Sequence, residues 1–284
     1  MSSFEGFKSR MAELGYKEGW NVRYSYYDAK GSDSVLNKFS RNIVEEKVDL
    51  IVTSSTTATV AAARATKGSN IPVLFLSAGN PEKFIKSFSS SGSNLAGISS
   101  ATVEITGKKF ELIRDIAPWV KRIATLQDPN GVNFEANLRE SRNAAKILGF
   151  TLREFATGSR EEIVNILPTI TRQSADAIFT PPDSLITQLI DMIINQAIRE
   201  KLPLITSLLA NVKKGCLATY AADYSALGGQ GAVLADKIFR GTKPADLPVE
   251  LPKKWKLVLN MKTARAIGLN IPKEVLLRAD EVFE

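Results

Sequence analysis

The sequence predicts an α/β protein with two Rossmann-like lobes, each built around a parallel β-sheet and joined by a hinge of several strands. Three observations predict this fold. The 284 residues are too many for one ordinary core and suit two domains of roughly 100 to 150 residues. Short apolar runs alternate with amphipathic helical runs along nearly the whole chain, as in βαβ units. The two halves of the chain also resemble each other.

The internal repeat is weak but ordered. Residues 48–53, a helix and residues 71–74 correspond to residues 175–180, a helix and residues 202–205. Upstream of these segments, Leu14-Gly15-Tyr16 corresponds to Leu148-Gly149-Phe150. Two similar lobes, one after the other, are the simplest interpretation.

Ten strands are predicted from the apolar runs, and helices fill the intervals between them. Ser159 and Glu162 predict a capping box, and Asp183 is placed to cap a helix over residues 184–200. The predicted strands are residues 22–27, 50–53, 73–76, 95–98, 122–126, 151–155, 177–180, 204–206, 217–220 and 256–259.

The repeat also predicts that lobe one lacks its first strand. In the second half, strand 122–126 precedes the first helix, whereas nothing precedes the helix that begins near Ser2. In a flavodoxin-like order of 2-1-3-4-5 the first strand is central. Its absence would leave two strand edges facing an empty slot.

Lobe one is predicted to contain residues 1–100 and about 224–250, and lobe two residues 101–223 and about 251–284. The Ser- and Gly-rich segment 87–100, the region near Asp223 and the Pro-rich segment 243–253 are the expected crossings between lobes.

Composition excludes several kinds of site. The chain contains no histidine, which removes Ser-His-Asp and Cys-His catalysis and histidine metal sites. Cys216 is the single cysteine, so an intrachain disulfide or thiolate metal site cannot form, and it is expected to be buried and inert. We therefore expect no enzyme activity, no metal and no cofactor.

The net charge of +7 is scattered without a basic run, so no nucleic-acid partner is expected.

Two observations concern membranes. No window approaches 18 apolar residues, so no membrane-spanning helix is expected. Residues 1–10 are Ser-rich and charged without an apolar stretch, so they do not predict a signal peptide.

Ligand candidates in lobe one follow two predicted strands, because open parallel sheets bind ligands beyond the carboxyl ends of their strands. Ser54, Ser55, Thr56 and Thr57 offer hydroxyls and backbone N–H groups at a helix N-terminus, which suits a carboxylate. One of them could equally be an N-cap. Ser77 and Ala78 follow the next strand, where an ordinary turn would have the same composition.

Lobe two offers candidates at the corresponding strand ends. Asp128 and Asn130 could bind ligand or cap the next helix, and the carboxylate of Asp183 suits an ammonium, although it could be a cap. Donors at residues 54–57 facing Asp183 across a cleft would complement a zwitterion, so an amino acid is the favoured ligand. Phe110, Trp119 and Trp255 are assigned to the core or to surface cover. The remaining candidates are Ser207, Tyr220 and Asp223.

Several short motifs recur in a characteristic order and spacing along the chain. They are residues 11–16 (Met-Ala-Glu-Leu-Gly-Tyr), 48–52 (Val-Asp-Leu-Ile-Val), 106–109 (Thr-Gly-Lys-Lys), 175–177 (Ala-Asp-Ala), 241–250 (Gly-Thr-Lys-Pro-Ala-Asp-Leu-Pro-Val-Glu) and 259–264 (Leu-Asn-Met-Lys-Thr-Ala), followed by residues 271–282. In these motifs the chain resembles, over its whole length, the TrpX-like family of ABC transporter substrate-binding proteins, which have the type I periplasmic binding protein fold.

The resemblance implies an exported receptor, periplasmic or on the cell surface, that closes on a small molecule and presents it to an ABC transporter permease. It also implies a monomer that is peripheral to the membrane, through the permease or a lipid anchor absent from this chain. Some family members bind aromatic amino acids. Family members begin with a signal sequence and a first strand, which this chain lacks, and Asn80 stands where relatives commonly have Asp.

Two other functions fit the fold less well. A ligand-sensing domain of a regulatory or signalling protein can share this fold, but it would need an output module. An α/β enzyme that uses Asp128 and Asp183 would need a nucleophile or base within reach of another catalytic group. The sequence contains no phosphate-binding loop, and the glycines of residues 228–231 lie within a helical pattern.

Overall fold

In the computed structural model of the chain, residues 2–284 are described, and they divide into two compact units. Unit 1 contains residues 2–101 and 222–254, and unit 2 contains residues 102–221 and 255–284. The chain therefore passes between the units after Ala101, after Ala221 and after Lys254. Unit 1 contains a parallel sheet and unit 2 a mainly parallel one, both flanked by helices, so the predicted α/β class is confirmed.

Helices and strands follow one another along most of residues 2–284. In chain order they are α1 (Ser3–Glu13), α2 (Asp33–Glu45), β1 (Ile51–Thr53), α3 (Thr56–Ala65), β2 (Val73–Ala78), β3 (Leu95–Ser99), α4 (Thr106–Ile116), β4 (Arg122–Gln127), α5 (Phe134–Leu148), β5 (Thr151–Ala156), α6 (Arg160–Ile166), β6 (Ala177–Thr180), α7 (Ser184–Gln188), α8 (Ile190–Arg199), β7 (Leu204–Thr206), α9 (Leu209–Lys214), β8 (Ala218–Ala222), α10 (Tyr224–Phe239), β9 (Trp255–Asn260), α11 (Met261–Ala266), α12 (Lys273–Leu277) and β10 (Glu281–Phe283).

Unit 1 has a three-stranded parallel sheet in the order β1-β2-β3. Alternate residues of β2 face opposite sides, as strand geometry requires. Val73 and Phe75 pack in a cluster with residues of α2 and α3, whereas Leu76 lies against Gly231 of α10. Helices therefore cover both faces of this sheet.

The predicted strand at residues 22–27 is wrong. The segment contains only an isolated bridge between Glu18 and Val22. In unit 2 the corresponding strand β5 pairs with β4, which precedes α5. Among residues 2–284 no strand precedes α1, so residues 22–27 have no neighbouring strand with which to pair. Each other predicted strand is present, with ends that differ by at most two residues.

The glycines of α10 allow a close approach of α1. A Cβ atom added to Gly228 would lie 1.9 Å from the carbonyl oxygen of Ser3, and one added to Gly6 would lie 2.1 Å from the carbonyl oxygen of Ser225. Both distances are far shorter than a van der Waals contact. The α1 and α10 backbones therefore touch at Gly6 and Gly228. This contact explains why each of the two helices has a glycine at that position.

Unit 2 has a seven-stranded sheet in the order β10-β9-β8-β7-β6-β4-β5. The strands from β8 to β5 are parallel. Strand β9 runs antiparallel to β8, because Asn260 N donates to Leu217 O while Asp223 N donates to Lys254 O. The amino end of β9 therefore lies beside the carboxyl end of β8.

Two hydrophobic clusters cover the two faces of the unit 2 sheet. Ile123 of β4 packs with Phe110 of α4 and Ala144 of α5 in the first cluster. Ala124 and Leu126 of β4 pack in the second, with Ile163 of α6 and residues of α8. Because β4 alternates in this way, Thr125 and Gln127 point to the same face as Ile123.

Two local predictions in unit 2 are changed in detail. The hydroxyl of Ser159 accepts the N–H of Glu162 as predicted, but the carboxylate of Glu162 accepts from Gly158 rather than Ser159. The predicted helix over residues 184–200 is two helices, α7 and α8. Thr187 Oγ1 donates to Asp183 O, and this kind of bond to the preceding turn commonly bends helices.

None of the helices within residues 2–284 combines the length and the apolar composition needed to cross a membrane.

Candidate functional site

The hydroxyl groups after β1 form a bonded cluster in unit 1. Thr56 Oγ1 accepts from the N–H of Gly79 at 2.8 Å and so joins the loop after β1 to the loop after β2. Ser54 Oγ lies 3.4 Å from Ser77 Oγ and 2.7 Å from Ser3 Oγ. The structure therefore brings Ser54, Thr56 and Ser77 together at the carboxyl edge of the sheet.

The remaining candidates of unit 1 have mainly structural contacts. Ser55 is the N-cap of α3, since its hydroxyl accepts from Ala58 N, and Thr57 is partly exposed in the first turn. The Ala78 side chain is buried, and its carbonyl oxygen accepts from Ser100 N and Ser99 Oγ. Asp223, which lies in unit 1, caps α10 by accepting from Ser225 N and Ala226 N.

Asp128, Asn130 and Asp183 come together at the carboxyl edge of unit 2. Asp183 Oδ1 accepts from Ile186 N as the cap of α7, while its Oδ2 accepts from Asp128 N at 2.8 Å. Asp128 Oδ1 in turn accepts from Asn130 N. Burial raises the pKa of the Asp183 carboxyl above its ordinary value. The two oxygens of Asp183 have about four acceptor positions in total, so the carboxylate retains acceptor capacity beside these backbone bonds.

Tyr220 forms an aromatic pair with Trp255. The rings stack with an interplanar angle of 11° and a centroid separation of 5.8 Å. Since β9 is antiparallel to β8, Trp255 lies at the carboxyl edge of the sheet, although the sequence assigned it to core or surface cover. Of the other aromatics in that assignment, Phe110 is fully buried in the core and Trp119 is exposed at the surface.

Unit 2 also contains buried polar side chains that the sequence did not single out. Thr125 Oγ1 and Gln127 Oε1 on β4, and Asn137 Oδ1 and Ser141 Oγ on α5, are buried without a protein hydrogen-bond partner. The same holds for Ser207 Oγ, a predicted site residue, and for Thr157 Oγ1 and Thr180 Oγ1 at the ends of β5 and β6. Buried polar atoms are normally hydrogen-bonded, so a concentration of exceptions marks a place where another molecule can supply partners.

Two pairs of these residues lie on the side of the sheet that α5 covers. Thr125 and Gln127 are separated by two residues of a strand, which is about 6.6 Å, and Asn137 and Ser141 by one helical turn of about 6 Å. Both pairs belong to the same face, since Ala144 and Ala145 of α5 pack with Ile123 of β4. We call these four residues the β4–α5 polar rows.

Sequence signals for the β4–α5 polar rows exist in retrospect. Thr125 and Gln127 alternate with apolar residues in a strand buried on both faces, and Asn137 and Ser141 lie four residues apart on the buried stripe of α5. Polar residues on a face predicted to be buried are the pattern to look for.

Within residues 2–284 there is no group of three or more Asp, Glu or Cys side chains arranged to hold a metal ion. Cys216 is buried, and burial raises the pKa of its thiol.

Known proteins resemble this chain along its whole length. A family model described as ABC transporter substrate binding protein matches residues 1–283. A tyrosine-binding protein of Clostridioides difficile (strain R20291) is 26% identical over 267 residues, which are 93% of this chain and 76% of that protein.

Solved structures share the fold. An ABC domain from Streptococcus pneumonia in complex with L-Trp is 29% identical, with a TM-score of 0.89. A conserved domain protein from Vibrio cholerae is 27% identical, also with a TM-score of 0.89. Each of these matches covers 99% of this chain and 94% of the other chain.

These matches confirm the resemblance that the sequence motifs carry, and they agree with the type I periplasmic binding protein fold. The chain belongs to the ABC transporter substrate binding protein family.

Proposed function

We propose that this protein is the extracytoplasmic solute-binding component of an ABC transporter and that its ligand is an amino acid with an aromatic side chain. Membership of the family supports the transport role. The aromatic ligand is supported by two relatives, one named for tyrosine binding and one solved with L-Trp. The observation that carries a binding role in this chain is the set of unpartnered polar groups at the carboxyl edge of unit 2.

The chemistry of the carboxyl edges suits a zwitterion with an aromatic side chain. In unit 1, Ser54, Ser77 and the first turn of α3 offer donors for a carboxylate. In unit 2, Asp183 and the amide oxygens of Gln127 and Asn137 offer acceptors for N–H groups. The Tyr220–Trp255 pair offers an aromatic surface.

The candidate residues of both units are proposed as ligand contacts, and they differ in their expected effect on affinity. Ser54, Thr56, Thr57 and Ser77 are proposed for unit 1. Asp128, Asn130, Asp183, Ser207 and Tyr220 are proposed for unit 2. Ser55 and Asp223 serve as helix caps, and Ala78 can contribute only its backbone, so we give these three the smallest effect on affinity.

The proposed mechanism is binding rather than catalysis. A ligand that prefers one conformation shifts the population toward it by the difference in its affinities. We propose that the permease recognises the ligand-bound population, that the protein acts as a monomer, and that it reaches the membrane through the permease or a lipid anchor.

The β4–α5 polar rows are tested by a substitution that is expected to raise the free energy of unfolding and lower the affinity for ligand. Replacing Thr125 with the isosteric valine removes a buried hydroxyl that has no protein partner, so the free energy of unfolding is expected to rise by about 1 kcal/mol. The same change removes a group available to ligand, so the affinity for L-Trp or L-Tyr is expected to fall about tenfold. Denaturant unfolding and calorimetric titration measure the two effects.

Thr263→Val is the matched control. Thr263 Oγ1 donates to Gly215 O at 2.9 Å, away from the carboxyl edge of the sheet, so its loss is expected to lower stability by about 1 kcal/mol without changing affinity. If Thr125→Val loses stability and retains affinity, as the control does, the polar rows are part of the core and the site must lie elsewhere.

A further inference from the structure

Lys109 is fully buried in the first turns of α4, with 0% of its surface exposed. Its ammonium nitrogen donates to the carbonyl oxygen of Thr102 at 2.6 Å. A buried lysine without a carboxylate partner is rare, because removing its charge from water is costly. Such a group requires an explanation beyond ordinary packing.

Thr102 is the first residue of unit 2 after the first crossing. On the unit 1 side, Ser100 N and Ser99 Oγ both donate to Ala78 O, and Ala101 N donates to Ser99 Oγ. Ala101 has a left-handed backbone, with φ of 47°, which is unfavourable for a residue with a side chain. The crossing is thus held in an unfavourable conformation by bonds on both sides, and Lys109 donates one of the bonds on the unit 2 side.

The bonds also connect this crossing to the proposed ligand contacts. Ala78 O accepts the bonds from Ser100 N and Ser99 Oγ, and Ala78 directly follows Ser77, whose hydroxyl is part of the bonded cluster after β1. A change in the backbone of residues 99–102 would therefore act on the loop after β2.

The surroundings of Lys109 contain little compensating charge. Glu104 is the carboxylate whose field reaches the ammonium. Helix α5, which packs against α4, turns Asn137 and Ser141 inward, while its charged residues Glu135, Arg139, Glu140, Arg142 and Lys146 are exposed or partly exposed. On α4 itself, Lys108 pairs with Glu111 at the surface.

We propose that Lys109 is a positioning residue for ligand binding, which holds the crossing after Ala101 in its binding-competent conformation and couples that conformation to the loss of a proton. The inference rests on the proposed function, since it concerns the affinity for the same ligand.

The direction of the coupling follows from the two environments. Burial lowers the pKa of Lys109 from 10.5 to about 7. If the bond to Thr102 is broken and the ammonium reaches water, its pKa returns to its ordinary value. We call the conformation with the Lys109–Thr102 bond fixed and the conformation without it released. Between these two pKa values the released conformation binds one more proton than the fixed one. A higher pH therefore raises the ratio of fixed to released conformation, by at most tenfold per pH unit. At about pH 6 and below, both conformations carry the proton, and the ratio becomes constant.

The test compares association constants for L-Trp and L-Tyr in the wild type, Lys109→Met and Lys108→Met, by calorimetric titration at about pH 6, 7 and 8.5. Dividing the association constant of the wild type by that of Lys109→Met at the same pH removes the contribution from protonation of the ligand itself. This ratio is expected to rise by less than about twofold from pH 6 to 7 and by at least about threefold, with a limit of about 15-fold, from pH 7 to 8.5. Lys108→Met removes an exposed lysine beside it and is expected to keep the wild-type profile.

A ratio that does not change with pH would overturn the inference and leave the proposed function intact. If Lys109→Met does not fold, the wild type alone is titrated with ligand in the calorimeter near pH 8, in two buffers of different ionisation enthalpy. The inference requires that ligand binding releases protons, and the difference between the two binding enthalpies measures that release. Absence of proton release would overturn the inference. Absence of binding by both amino acids at every pH would contradict the proposed function, and the inference with it.

Discussion

Gly228→Ala is expected to lower the free energy of unfolding by at least about 3 kcal/mol, whereas Gly229→Ala is expected to raise it by about 0.5 to 1 kcal/mol. The added methyl group at residue 228 would lie 1.9 Å from Ser3 O and 2.5 Å from Phe7 N. Both are backbone atoms of α1, so no side-chain rotation can relieve the clash and the whole helix must shift.

The same methyl group at residue 229 has room. Its nearest neighbour would be the Cβ of Arg10 at 4.0 Å, so only the higher helix propensity of alanine remains. Denaturant unfolding followed by circular dichroism compares the two variants. Equal stability of the two variants would contradict the packing of α1 against α10.

Lys109→Met is expected to raise the free energy of unfolding by about 2 to 4 kcal/mol at pH 7, with the gain shrinking as the pH rises. The lowered pKa, from 10.5 to about 7, corresponds to a cost of about 5 kcal/mol for burying this lysine at pH 7. Methionine removes that cost but also removes the bond from Lys109 Nζ to Thr102 O, and the loss of this bond costs about 1 to 3 kcal/mol.

The pH dependence has a definite sign. The folded pKa of Lys109 lies below the unfolded value, so the unfolded chain binds more protons between pH 7 and 10.5, and the wild type becomes more stable as the pH rises through this window. Lys109→Met lacks that contribution. Unfolding curves at about pH 7 and 9 for both proteins measure it, with Lys108→Met as the control that retains the wild-type dependence. Parallel pH profiles for wild type and Lys109→Met would show that Lys109 is not buried in the folded protein.

The alternation of strands and helices was predictable because β2, β3 and β6 are mainly apolar segments between polar turns. Residues 22–27 (Val-Arg-Tyr-Ser-Tyr-Tyr) contain the β-branched and aromatic residues that favour strands but form no strand. A strand requires a partner, and local sequence does not reveal whether one is available. β10 was not predicted, because it is a three-residue strand of low hydrophobicity. It forms because β9 is available as a pairing partner.

The candidate site was predictable by position more than by role. The rule that ligands bind at carboxyl ends of strands located Ser54, Ser77, Asp128 and Asp183, but sequence could not separate helix caps from free groups. Ser55, Asp183 and Asp223 prove to be caps. The place of Trp255 at the carboxyl edge was not predictable, because it depends on β9 being antiparallel, which pairing alone determines.

The most direct test of the proposed function is equilibrium binding of L-Trp and L-Tyr to the purified chain by calorimetric titration, with L-Lys and L-Glu for comparison. We expect saturable one-to-one binding of an aromatic amino acid, tighter than either charged amino acid by at least about tenfold, and weakened by Thr125→Val. Absence of binding to both aromatic amino acids by a chain that melts cooperatively, or equal affinity for all four, would contradict the proposed aromatic amino acid ligand.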